Sequence, residues 1–232
     1  MAREESKEPD SVVVVVDDDT SVRNGLARLL TSAGHAVETF ASPRGFLDRV
    51  RARDICGCVV LDIRMPGLTG LDLQQELKAI APDLPIVFIT GHGDVPTSVR
   101  AMKDGAVDFL TKPVDEKDLL SVVGQALGWN RTARARNAEL RELRRRVATL
   151  TPRERQVMEL IVRGRLNKQV AGELGTVEKT IKVHRARVIQ KMGVESLAEL
   201  VRMAEKLGIF RDDSGLDAAG AEPAGGRPQA FA

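Results

Sequence analysis

The stretch VVVVVDDDT, residues 12–20, is the most informative part of the sequence, because five consecutive valines run directly into three aspartates. A run that is apolar at every position, rather than at every second one, is typical of a parallel strand buried on both faces. In open sheets of such strands, ligands bind beyond the carboxyl ends. The stretch therefore predicts a buried strand that delivers acidic side chains to a ligand-binding edge.

The same pattern recurs through residues 11–126. Short apolar runs at 58–61, 86–89 and 106–110 are predicted strands, and 35–40 is a weaker one. Helical patterns separate the strands, at about 21–33, 43–51, 70–80, 96–104 and 115–127. This alternation predicts an α/β, doubly wound parallel sheet of five strands.

Polar side chains stand where four of these strands end. Asp17 and Asp18 follow the first, Asp62 the third, Thr90 the fourth and Lys112 the fifth. A single aspartate or threonine at a strand end is commonly a turn or helix cap. Four such ends on one edge of the sheet are hard to explain as caps, so we expect these side chains to form one polar site.

Residues 127–148 have a different character. Gly128 is expected to end the preceding helix, and seven arginines follow it up to residue 150. The apolar residues within and just after this segment are spaced by three or four positions; they are Leu140, Leu143, Val147 and Leu150. This predicts a helical, Arg-rich linker whose narrow stripe either pairs with a second copy or lies on a solitary solvated helix.

Residues 149–210 predict an all-α block of four helices. The first begins at the capping box formed by Thr151 and Glu154. The second and third are separated by a tight turn at Gly175, which is typical of a helix-turn-helix. The third helix, about 177–191, is expected to turn Ile181, Val188 and Met192 inward because their spacing is helical.

The charge distribution and the apolar runs of the sequence limit the classes of function that the protein can have. The 232-residue chain has a net charge of +2, but residues 11–126 hold 12 Lys/Arg against 16 Asp/Glu, whereas 151–210 hold 12 against 7. A basic half points to a polyanionic partner such as nucleic acid. No apolar run reaches the roughly 18 residues that span a bilayer. We therefore expect a cytoplasmic protein without membrane contact, and a disordered tail at 211–232, which is rich in Ala, Gly and Pro.

These motifs together resemble a known family. The pair Asp17-Asp18 and residues 61–67 (LDIRMPG), 89–94 (ITGHGD) and 111–113 (TKP) are similar to receiver-domain signatures. Residues that resemble a LuxR-type domain are 150–157 (LTPRERQV), 167–171 (NKQVA) and 180–185 (TIKVHR). The chain thus resembles two-component response regulators of the FixJ/NarL class. That resemblance implies a flavodoxin-like receiver at 11–126, joined by the linker to a LuxR-type helix-turn-helix domain at 149–210.

The resemblance also implies roles at the sheet edge. Asp62 would accept a phosphoryl group, which needs a metal and balancing positive charge. Asp17, Asp18 and Asp62 would hold Mg²⁺, which suits a few carboxylates together with phosphate oxygens and waters. The resemblance adds the backbone carbonyl of Arg64 as a further ligand. The residues implied to bind the phosphoryl group or respond to it are Thr90, Lys112 and Phe109. Asp19 is expected to cap the next helix or to lie behind the metal ligands.

For the basic half, the resemblance implies that the third helix enters the major groove of DNA. Lys182 and Val183 lie where related proteins touch base edges. The other residues expected to contact DNA are Asn167, Lys168, Lys179, Thr180 and Arg187. Two-fold operators are the usual solution for such domains, so a dimer is expected.

The implied function is a phosphorylation-dependent transcription regulator. A histidine kinase would phosphorylate Asp62, and the protein would then form a homodimer, bind promoter DNA and contact RNA polymerase. It would be no enzyme beyond this self-directed transfer and slow hydrolysis of its own phosphoryl group. An alternative is a DNA-binding regulator whose receiver works without phosphorylation. A hydrolase of the haloacid-dehalogenase type fits poorly, because Thr20 and Ser21 replace its expected Gly and Thr and Asp62 has no place in it.

Overall fold

The structure is a computed structural model that describes residues 11–91 and 95–209. The tail at 211–232, predicted to be disordered, lies outside the described residues. The chain divides into two compact units after Ala138. Among the described helices, none is both long and apolar enough to cross a membrane.

In the first unit, strands and helices alternate as predicted. In chain order the elements are β1 (Val12–Val16), α1 (Thr20–Ser32), β2 (Ala36–Phe40), α2 (Pro43–Ala52), β3 (Gly57–Asp62), α3 (Gly70–Ile80), β4 (Ile86–Thr90), α4 (Val95–Lys103), β5 (Asp108–Thr111) and α5 (Glu116–Ala148). The strands form one parallel sheet in the order β2-β1-β3-β4-β5. The prediction of a doubly wound five-stranded sheet is confirmed.

Helices cover both faces of this sheet. Val14 packs in one layer with Phe46 of α2. Its neighbour Val15 faces the other side and packs in a layer with Leu26 of α1 and Leu119 of α5. Every residue of β3 and β4 is buried. This two-sided burial explains why the strands are continuously apolar in sequence.

Helix α5 corrects one expectation, since it continues through Gly128 for 33 residues in all. A glycine inside a helix costs only about 1 kcal/mol, and tertiary contacts beyond it favour the helix. The Asn130 side chain is buried, accepts a hydrogen bond from the Gly57 amide (2.9 Å) and donates to the Asp83 carbonyl (2.7 Å). Arg134 follows with an ion pair to Asp54 at 2.8 Å. These contacts place residues 130–134 within the first unit.

The second unit contains the end of α5 and four further helices. They are α6 (Pro152–Val162), α7 (Asn167–Glu173), α8 (Glu178–Met192) and α9 (Leu197–Lys206). The capping box of Thr151 and Glu154 is present at the start of α6. Ile181, Val188 and Met192 are at most 1% exposed, so the predicted inward face of α8 is confirmed.

The apolar stripe after Gly128 is largely covered. Leu143 and Leu150 are 4% and 7% exposed, and Val147 packs against the core of the second unit. The Arg146 guanidinium donates to the Met192 carbonyl at 2.9 Å, at the C-terminus of α8. The end of the predicted linker is therefore packed as part of the second unit and is not a solitary solvated helix, and pairing with a second copy stays a prediction.

Candidate functional site

The carboxyl edge of the sheet brings three aspartates together. Asp17 follows β1, and Asp62 is the last residue of β3, the neighbouring strand. Asp17 and Asp62 are 0% and 5% exposed, whereas Asp18 is exposed. One carboxylate oxygen of each lies within 4.8 Å of the others. Such an oxygen-only donor set suits Mg²⁺, which binds a few carboxylates and keeps several waters.

Lys112 supplies the positive charge opposite these carboxylates. Its ammonium lies 2.7 Å from Asp17 Oδ2 and 3.4 Å from Asp62 Oδ2. Burial lowers the pKa of Lys112, but its hydrogen bond to Asp17 and its attraction to Asp62 outweigh this and leave the pKa above its ordinary value. Lys112 is therefore a fixed cation between the two buried acids.

Asp62 has the environment of a reactive carboxylate. Burial raises the pKa of Asp62 above its ordinary range, and the nearby Lys112 offsets only part of this. The negative charge of Asp17 raises the pKa of Asp62 further. A carboxylate that is poorly solvated and close to both signs of charge is typical of a functional site.

The loops beside these residues fix their positions. Asp19 accepts hydrogen bonds from the amides of Ser21 and Val22, so the predicted cap of α1 is confirmed. The nearby backbone N–H of Arg64 acts to lower the pKa of the Asp62 carboxyl, and the Arg64 side chain is exposed. Its predicted role as a metal ligand through its carbonyl stays a prediction.

Gly70, which sequence reasoning missed, controls the backbone of Asp62. A Cβ at Gly70 would lie 2.4 Å from the Asp62 carbonyl oxygen, a distance that real Cβ atoms do not show. The Gly70 amide also donates to the Ile63 carbonyl at 2.9 Å. A glycine as the first residue of α3, directly after the capping residue Thr69, is a signal that the sequence contained.

Thr90 lies on β4, the strand next to that of Asp62, and Phe109 lies on β5, the strand beyond it. Thr90 ends β4, is 1% exposed and accepts, through its backbone carbonyl, a hydrogen bond from the Lys112 amide at 2.7 Å. Phe109 lies in β5 beside Phe88 and is partly buried against the core. The structure thus brings Asp17, Asp18, Asp62, Thr90 and Lys112 to one edge, as predicted.

The second unit contains a helix-turn-helix, in which α7 and α8 are joined through Gly175 with φ 61°. Most of the residues predicted to contact DNA are exposed; they are Lys168, Lys179, Lys182, Val183 and Arg187. Thr180 and Asn167 are half-buried. The exposed face of α8 is thus basic, and its opposite face is buried in the core.

Two contacts hold basic side chains of α8 in place. Lys182 forms an ion pair with Glu178, one turn earlier, at 3.2 Å. Arg185 donates to the Asn167 side chain at 3.3 Å and so joins α8 to the start of α7. Neither contact buries its cation fully, so both cations remain open to a polyanion.

Comparison with known proteins connects the two units to families. Residues 13–124 match the family described as "Response regulator receiver domain". Residues 148–204 match "Bacterial regulatory proteins, luxR family". The chain belongs to the response regulators of the FixJ/NarL class. It is a two-component transcription regulator with a receiver and a LuxR-type DNA-binding domain.

Proteins and structures similar to this chain match it over most of its length. Nodulation protein W of Bradyrhizobium diazoefficiens is 48% identical over 86% of this chain and 87% of its own length. The transcriptional regulatory protein FixJ of the same organism is 44% identical over 86% of this chain and 97% of its own. The structure of the response regulator StyR matches with 50% identity and a TM-score of 0.77, covering 85% of this chain and all of that one.

Proposed function

We propose that this response regulator is switched by phosphorylation of Asp62. The observation that carries the proposal is the meeting of Asp17, Asp18, Asp62, Thr90 and Lys112 at one sheet edge, with Lys112 bound to both buried acids. Phosphoryl transfer needs a nucleophile in line with the donor, positive charge and a metal. Structural ion pairs alone would not require three clustered carboxylates around one lysine.

In the proposed transfer, an Asp62 oxygen attacks the phosphorus of a phosphohistidine on a partner kinase. A bond forms between this oxygen and phosphorus, which makes Asp62 an acyl phosphate. The phosphorus–nitrogen bond to histidine breaks, and the histidine is the leaving group. Lys112, already 3.4 Å from Asp62, would pair with the incoming phosphoryl oxygens. The buried Thr90 would donate its hydroxyl to them, and Phe109 would shift with it.

A divalent cation, Mg²⁺, would be held by the carboxylates of Asp17, Asp18 and Asp62 and by the Arg64 carbonyl. When bound, it neutralises charge on the phosphoryl oxygens and on the clustered acids. The three carboxylate oxygens present within 4.8 Å support this assignment. The transfer would be self-directed, followed by slow hydrolysis, with no turnover of other substrates.

The output of the switch would be DNA binding in the cytoplasm. Phosphorylation would favour a receiver conformation that forms a homodimer, by a shift between two existing states. The dimer would place two α8 helices in successive major grooves of a promoter and would recruit or block RNA polymerase. Lys182 and Val183 would reach base edges, and Lys168 would contact phosphate.

The first experiment treats wild type, Asp62→Asn and the surface control Asp48→Asn with acetyl phosphate and Mg²⁺. Asp48 is 80% exposed on α2, so its variant matches the chemical change away from the site. Intact mass should increase by one phosphoryl group in wild type and Asp48→Asn alone, with a shift to dimer in gel filtration. The same three proteins are then used to select duplexes from a random DNA library.

A second variant separates the units. Lys182→Ala should weaken binding to the selected duplex and leave phosphoryl uptake unchanged, whereas Lys103→Ala on α4 should leave DNA binding unchanged. Loss of phosphoryl uptake in Lys182→Ala would overturn this division of roles. DNA selection that is equal in Asp62→Asn and phosphorylated wild type would favour the alternative, a regulator that works without phosphorylation.

A further inference from the structure

Arg23, in the first turn of α1, reaches back to the loop that holds two of the three acids. Its Nη1 donates to the Asp17 carbonyl at 2.7 Å and to the Asp18 carbonyl at 3.3 Å. Its Nη2 donates to the Thr20 hydroxyl at 3.2 Å. One planar guanidinium thus holds two consecutive carbonyls and the first residue of the helix.

The carboxylate of Asp17 depends on that backbone. Its Oδ1 accepts a hydrogen bond from the Asp19 amide at 2.8 Å, and its Oδ2 contacts Lys112 at 2.7 Å. Asp18, by contrast, has an exposed side chain, so its direction is set mainly by its backbone. Without Arg23, the loop would keep the Asp19 cap but would lose the hydrogen bonds that Arg23 donates to the Asp17 and Asp18 carbonyls.

We propose that Arg23 is a positioning residue for the divalent cation, holding the backbone of Asp17 and Asp18 so that their carboxylates converge with Asp62. The inference rests on the proposed metal site. Arginine suits this role because its fork is planar and donates several hydrogen bonds at once, whereas lysine is a point charge. Arg23 acts through the two acids and does not itself touch the cation.

The direction of the change in Mg²⁺ affinity distinguishes a positioning role of Arg23 from a simple effect of its charge. A nearby cation repels Mg²⁺, so removing the charge of Arg23 without moving the loop would tighten Mg²⁺ binding. If the hydrogen bonds matter, their loss weakens binding whether or not the charge stays. Arg23→Lys keeps the charge and loses the fork, and Arg23→Gln loses both.

The experiment measures Mg²⁺ affinity by isothermal titration calorimetry on the unphosphorylated full-length chain. We expect Arg23→Gln to weaken binding about tenfold, as the loss of hydrogen bonds to a charged group would do. Arg23→Lys should also weaken binding, because one ammonium cannot hold both carbonyls and the Thr20 hydroxyl as the planar fork does. Arg28→Gln is the matched control, because Arg28 is exposed on the same helix, and it should stay close to wild type.

Each outcome has one meaning. Wild-type affinity in Arg23→Lys together with tighter binding in Arg23→Gln would overturn the inference, as would unchanged affinity in both. If Arg23→Gln does not fold, judged by circular dichroism in EDTA, Arg23→Lys decides the question. If wild type and Arg28→Gln bind no Mg²⁺, the proposed metal site is itself wrong and the inference falls with it. Phosphoryl uptake at Asp62 is measured separately, so the two failures are distinguishable.

Discussion

The Lys191 ammonium lies 2.6 Å from the Glu154 carboxylate and joins α8 to α6. The Glu154 side chain is 3% exposed, and its Oε2 also accepts from the Thr151 amide at 2.9 Å. Lys191 donates in addition to the Thr149 carbonyl at 3.0 Å. The hydrogen bond from Lys191, followed by that from Thr151, lowers the pKa of Glu154 to about 2. This pair therefore orients α8 against α6, the first helix of the four.

This pair predicts a pH dependence of stability. The pKa of Glu154 is about 2 in the folded chain against an ordinary 4.5. The stabilisation is thus complete above 4.5 and is lost as the pH falls from 4.5 through 2. Glu154→Gln should lower the free energy of unfolding of the second unit by about 2 kcal/mol at neutral pH. Hydrogen exchange of peptides from residues 150–206, followed at several pH values, measures it.

The matched control is Glu142→Gln. Glu142 pairs with Arg145 and Arg146, but its side chain is 40% exposed, so the loss should be small beside that of Glu154→Gln. The difference between wild type and Glu154→Gln should disappear below pH 2. A difference that is the same at neutral and at acid pH would show that the pair does not act through its charge.

Gly70→Ala is expected to impair the proposed phosphorylation of Asp62 by displacing the backbone of that residue. The new Cβ would meet the Asp62 carbonyl at 2.4 Å, so α3 or the end of β3 must move. We expect a loss of about 1–3 kcal/mol in stability and slower phosphoryl uptake from acetyl phosphate. Unfolding of the first unit is read by the fluorescence of Trp129, the single tryptophan.

Gly25→Ala is the control for this prediction. Gly25 lies inside α1, and nothing comes within 4 Å of the position that an alanine methyl would occupy there. Alanine should therefore stabilise the helix by about 0.5–1 kcal/mol. Normal phosphoryl uptake by Gly70→Ala would contradict the claim that this glycine sets the position of Asp62.

Both helices of the helix-turn-helix begin without a side-chain cap. Leu166 and Val177 occupy the capping positions of α7 and α8 and are 69% and 64% exposed. Leu166→Ser and Val177→Ser should each stabilise the second unit by about 1 kcal/mol, because a serine hydroxyl at the capping position can accept from an amide of the first turn. Ser196→Ala, which removes the existing cap of α9, should destabilise it by a similar amount. Thermal unfolding followed by circular dichroism tests whether the two serine variants are more stable than wild type and Ser196→Ala is less stable. A loss of stability in both serine variants would refute the prediction.

Asn130→Ala should destabilise the first unit by about 2 kcal/mol. It would leave the Gly57 amide and the Asp83 carbonyl without their side-chain partner. The control is Asn24→Ala, at an exposed position of α1. Urea unfolding followed by Trp129 fluorescence measures both, and equal effects would show that the buried amide contributes nothing specific.

The strands of the sheet and the polar residues at its edge could be predicted from local sequence patterns. Strands buried on both faces must be apolar throughout, and the one or two residues after each run lie at the carboxyl edge, so Asp17, Asp62, Thr90 and Lys112 were predictable from strand ends. Caps such as Asp19 and the inward face of α8 are likewise local, because they depend on neighbours within a few positions.

Other features depend on contacts between residues that are far apart in the chain, and these could be seen only in the folded structure. Gly128 predicts a helix end, yet α5 passes through it because Asn130 and Arg134 bind segments more than 70 residues earlier in the chain. The constraint on Gly70 comes from the end of β3, and the reach of Arg23 to the Asp17 carbonyl requires both a loop and a helix in place. Propensity acts locally and weakly, whereas such contacts form only once the chain has folded.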